Sequence, residues 1–68
     1  MRLELDSISD AVLFDVLNDV APFVVERTGE SREAFGVLSI IDGDITFYTG
    51  ADPFTLNRSD ILTIRPLT

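Results

Sequence analysis

Apolar residues recur every four positions at Ile8, Val12, Val16 and Val20, and Leu13 and Leu17 lie beside them on the same helical face. That spacing predicts a helix over 8–19, with Ser7 or Ser9 as its cap and Asp10 near the positive end of its dipole. Pro22 biases Ala21 out of the helical region and ends it. Valines and Phe14 lower the helix propensity, so a buried strand is the competing reading. Ahead of it, Arg2-Leu3-Glu4-Leu5-Asp6 alternates polar and apolar, which suits an extended arm over 1–7.

After Pro22 the period shortens. Phe23-Val24-Val25-Glu26-Arg27 is β-rich and runs into Thr28-Gly29-Glu30-Ser31, a turn cluster. Glu30 and Glu33, flanking Arg32, read as solvated turn residues. Residues 34–41 form a β-branched and aromatic run interrupted by Gly36, the mark of a sharp bend or close backbone approach. Asp42-Gly43-Asp44 is a hairpin signal ahead of Ile45-Thr46-Phe47-Tyr48-Thr49. Gly50-Ala51-Asp52-Pro53 turns again, Phe54-Thr55-Leu56-Asn57 is a short strand, Arg58-Ser59 a corner, and 60–65 the last strand, stopped by Pro66. The fold expected is mainly β: an N-terminal helix, then a small, strongly bent, five-stranded antiparallel barrel over 22–66, in one domain spanning 1–68. Ile61 and Ile64 are expected to complete its core opposite Leu38 and Phe47.

Composition narrows the chemistry. The chain of 68 residues has neither Cys nor His, which removes disulfides, thiolate or imidazole metal sites, and every Cys or His nucleophile or base. No metal or cofactor is expected, and no enzyme activity. Twelve acidic residues face five basic ones, net −7, and all five bases are Arg. Nucleic-acid binding draws its affinity from neutralised phosphates and uses a basic stripe, which is lacking. The acidic surface suits a dispersed cytoplasmic protein or one that binds basic partners. No apolar run has the length of a membrane span, and the start lacks the pattern of a signal peptide. A core this small seldom supplies more than about 3–5 kcal/mol, so association of copies is expected.

Gly36-Val37-Leu38-Ser39-Ile40-Ile41-Asp42 has a G-x-L-x-x-x-D spacing, and Arg58-Ser59-Asp60-Ile61-Leu62-Thr63-Ile64-Arg65-Pro66 joins a basic corner to an apolar closing strand. With the helix-then-strands order, these segments resemble the Sm-like (LSm/Hfq) family; an unrelated SH3-like barrel is the other fold of this shape. The resemblance implies a homo-oligomeric ring of about five to seven subunits, in which the fourth strand of one copy pairs with the fifth of the next. It makes Phe54, Thr55, Leu56, Ile61, Leu62, Thr63 and Ile64 candidate interface residues.

The resemblance also implies a single-stranded, uridine-rich RNA ligand near the pore. By position, the base-stacking place falls on Asp44, the base-reading place on Thr46, and the basic place on Arg58, with Ser59 beside it. Only Arg58 keeps the family's chemistry: Asp44 has no π face and repels phosphate, and Thr46 offers a single hydroxyl. Arg58 has a competing role, pairing with Asp60 or with Asp42 of a neighbouring copy. Phe47 and Tyr48 are adjacent in a strand and must face opposite ways, one into the core. Asp42 and Asp44 read as turn residues before they read as a Mg²⁺ or acid–base pair. Two functions follow: an Sm-like ring acting as an RNA-associated scaffold or weak RNA binder, or an acidic protein-interaction module, such as a small phage-type regulator or inhibitor.

Overall fold

A computed structural model describes residues 7–67; most of the expected 1–7 arm lies outside the described residues. The chain is mainly β with one helix ahead of the strands. Helix α1 spans Asp10–Val20. Ser9 caps it: its Oγ accepts from the Val12 N–H at 3.4 Å, and its carbonyl accepts from Leu13 N–H at 2.8 Å. The Ala21 N–H closes the last turn on Leu17 O at 3.1 Å, and a cis Ala21–Pro22 bond leads into the strands. The buried line of α1 is Leu13–Leu17, with Val16 and Val20 half-buried beside it. Val12, expected on this face, points outward because the helix rotates its leucines onto the sheets.

Six strands follow: β1 Phe23–Arg27, β2 Glu30–Ala34, β3 Gly36–Ile41, β4 Asp44–Tyr48, β5 Phe54–Asn57 and β6 Thr63–Pro66. A 3-10 turn, Arg58–Asp60, separates β5 from the approach to β6. They form two antiparallel three-stranded sheets, β2-β1-β6 and β3-β4-β5. The mainly β class and the helix ahead of the strands are as expected, while the single five-stranded barrel is seen as six strands in two sheets. The bend falls at Phe35 and Gly36 and splits the long run: β2 ladders with β1, and β3 with β4. The two sheets are not closed by a pairing of β5 with β6. Glu30, Arg32 and Glu33 belong to β2 rather than to a turn, because β1 supplies their backbone partners.

The two sheets enclose a core of Leu13, Leu17, Phe23, Val25, Ala34, Val37, Ile45, Phe47, Ile61 and Ile64. Phe47 meets Phe23 edge-on, with centroids 5.9 Å apart, and stacks on Phe54 at 4.9 Å. Burying each large side chain contributes about 1.5–3 kcal/mol. Leu38 is not among them. With Val37 buried opposite Phe47, alternation sends Leu38 to the outer face, 54% exposed, and the bulge between Val37 and Ser39 then returns Ile40 to the inner side opposite Ile45.

The joint between helix and bent strand is made by Asn18. Its Oδ1 accepts from Val37 N–H at 2.8 Å, and its Nδ2 donates to Val37 O and to Phe14 O, both at 3.2 Å. The amide thus occupies the side of β3 that no strand pairs. A Cβ on Gly36 would lie 3.0 Å from Asn18 Oδ1, a tight contact that glycine avoids. The β3–β4 turn takes two left-handed residues, Asp42 at φ 51° and Gly43 at φ 83°, a combination that fits the right-handed twist of a tight hairpin.

Glu26 ties β1 to β6 from the other sheet. Its Oε1 accepts from Thr63 Oγ1 and Arg65 Nε, each at 3.0 Å. The Thr63 hydrogen bond, then that of Arg65, hold its carboxyl below the ordinary value of 4.5. A depressed carboxylate adds stability above its unfolded value and loses it as pH falls through the folded one. Acid titration of the unfolding free energy is therefore expected to fall below about pH 4.5, and Thr63→Val is expected to flatten that fall while lowering stability at neutral pH. An unchanged acid limb in Thr63→Val would show that Glu26 is not the group responsible.

Candidate functional site

The residues singled out at the end of β4 and β5 do come together. Asp44 and Asn57 are directly opposed across the two strands, as are Thr46 and Thr55. Asn57 Nδ2 donates to Asp44 Oδ1 at 3.0 Å, and the two threonine hydroxyls lie 2.9 Å apart. Ser59 donates to Asn57 Oδ1 through both its backbone N–H, at 3.0 Å, and its hydroxyl, at 2.8 Å. Asn57 is thus the hub that holds Asp44 and Ser59 at one corner. It also caps the 3-10 turn, and the sequence signal was an Asn placed ahead of Arg-Ser-Asp.

Arg58 is turned inward. Its backbone N–H reaches Gly43 O at 2.8 Å, and its guanidinium donates to Ile8 O and to the Asp10 carboxylate. The other Asp10 oxygen accepts from Gly43 N–H at 3.4 Å. The expected partners, Asp60 or a neighbour's Asp42, give way to Asp10 of the same chain because α1 begins beside the β3–β4 turn. The side chain is only 16% exposed, and its cation is already held by a carboxylate. It works as a clip between helix start, hairpin and 3-10 turn.

The chemistry left at this corner is weak for RNA. Asp44, like Thr46, lies on the face of β4 opposite the buried Ile45 and Phe47, and no aromatic ring stands at the stacking position. Tyr48 shares that outer face, 49% exposed, beside the bend: its carbonyl accepts from Phe35 N–H at 2.7 Å. Asp42 and Asp44 belong to no metal-ligating group of three among the described residues. No helix among the described residues is long and apolar enough to cross a membrane.

The candidate interface residues divide by exposure. Ile61 and Ile64 are buried in the core, where they were expected; Ile64 lies in β6, which has β1 as its one neighbour, and Ile61 lies just ahead of that strand. Leu62 is 62% exposed, and Thr55 is exposed beside half-buried Phe54, Leu56 and Thr63. Comparison with family models, with curated proteins and with solved structures gives no match.

A clip has a mechanical test. Arg58→Ala is expected to cost about 1–2 kcal/mol in urea unfolding, discounted because Asp10 is over a third exposed, with Arg58→Lys recovering only part of it. Full stability in Arg58→Ala would mean the contact with Asp10 holds nothing together.

Proposed function

We propose that the protein is a self-assembling scaffold of the Sm-like kind, in which β5 of one copy pairs with β6 of the next. The observation that carries this reading is that β5 and β6 each have a single hydrogen-bonded neighbour, β4 and β1 respectively. Only Phe35 separates β2 from β3. Counted as one bent strand, they give the order β6-β1-β2/β3-β4-β5, a five-stranded sheet rolled over the core with its two ends open. Each end presents unpaired backbone N–H and C=O groups, and we take the β5 end of one copy to meet the β6 end of the next. Their pairing is head-to-tail and ends in a ring or in a filament. The sequence of β5, Phe54-Thr55-Leu56-Asn57, has no charged residue or proline to discourage pairing.

A scaffold fits the site better than an RNA reader does. Arg58 is committed to Asp10 and Ile8, Asp44 adds negative charge beside it, and the chain carries seven more acids than bases. A phosphate backbone gains little from such a surface.

Native mass spectrometry is expected to give closed assemblies of several 7.5 kDa copies. Leu62→Glu, at an exposed position next to β6, is expected to shift them toward monomer with the circular dichroism unchanged. A monomer at high micromolar concentration would end the proposal. A uridine-rich oligonucleotide is expected to stay unbound at moderate salt; tight, salt-resistant binding would return the function to RNA.

A further inference from the structure

The outer side of β3 carries a second surface, distinct from the β5 and β6 ends. Ala11, Phe14 and Asp15 of α1 and Leu38 and Ile40 of β3 line an open groove between helix and strand. The sequence of β3, Gly36-Val37-Leu38-Ser39-Ile40-Ile41, holds no charged residue and no proline. By contrast, β2 carries Glu30, Arg32 and Glu33. Because α1 runs along this side of β3, from Asn18 at Val37 to Asp10 at Gly43, a partner meets the strand through the side chains that line the groove. On the outer face, Leu38 is 54% and Ile41 66% exposed.

Charge says what kind of chain would lie there. α1 holds three acids and no base. Asp10 is matched by Arg58, while Asp15 and Asp19 stand one turn apart, a repelling pair, with Asp19 toward the helix end where negative charge is least favoured. The ion pairs among the described residues take Arg27, Arg32, Arg58 and Arg65 to Glu30, Glu26 and Asp10, and none reaches Asp15 or Asp19. Their placement works against the helix alone and suits an incoming cation.

We infer that the groove between α1 and β3 docks an extended basic segment of a partner protein. Its apolar side chains enter between Phe14 and Leu38, and its Lys or Arg side chains meet Asp15 and Asp19. This surface does not require ring assembly, and its test leaves the β5 and β6 ends untouched.

The probe is a fluorescein-labelled octapeptide alternating leucine with lysine or arginine, read by anisotropy at low salt. Asp15→Asn with Asp19→Asn is expected to weaken binding about five- to tenfold. Leu38→Ser is expected to weaken it as well, and neither variant to change the unfolding midpoint much. Glu33→Gln with Asp52→Asn removes the same charge elsewhere and is expected to leave binding intact. Equal losses in the two charge-matched pairs would reduce the effect to net charge and overturn the site. So would no binding, or a change of subunit number in Leu38→Ser, which would assign the groove to a second copy.

Discussion

One side-chain amide holds the two halves of this molecule in register. Asn18 meets the backbone of Val37 with both an acceptor and a donor, as a neighbouring strand would, on the side of β3 where no strand runs. Gly36, with no Cβ, leaves room for it, since a Cβ there would come within 3.0 Å of Asn18 Oδ1. With α1 seated there, Leu13 and Leu17 close the open side of the core. The start of the helix then falls beside the β3–β4 turn, which brings Asp10 within reach of Arg58 and Gly43. A bent strand, a helix clipped at both ends and a core shared by two small sheets are thus consequences of one close approach.

The same geometry decides what is left over. Bending the strand divides its pairing between β1 and β4, so β5 and β6 become outer strands, each with one side unused. Seating the helix by its Asn18 side leaves Asp15 and Asp19 exposed, Asp15 beside a strand that has no charges of its own. The proposed assembly and the proposed docking of a basic segment draw on different borders of the same folded sheet. Both rest on backbone or apolar surface that a chain of this size cannot cover alone.

Much of this was legible in the residues. Local signals located α1, the Asp42–Gly43 turn, the bend near Gly36 and β5, because capping, left-handed turns and glycine act over a few positions. Two features were hidden. The polar run of β2 carries no periodic apolar signal, and only its partner β1 makes it a strand. Arg58 finds Asp10 across 48 positions, a pairing that depends on where α1 lands. That Asp44, Thr46, Arg58 and Ser59 lie near one corner follows from neighbouring strands, while the direction in which Arg58 points depends on α1 and was not legible. Leu38 was expected in the core, but Val37 beside it takes the inward place, and alternation then sends Leu38 outward.

The most direct test of the joint is a double-mutant cycle on Gly36→Ala and Asn18→Ala, read from urea unfolding. If Gly36 is glycine so that the Asn18 amide can lie against Val37, the alanine methyl costs stability only while Asn18 is present. The cycle should then show coupling of about 1 kcal/mol or more. Costs that simply add, to within about 0.3–0.5 kcal/mol, would mean that glycine and amide act independently, and the joint would not be what organises the fold.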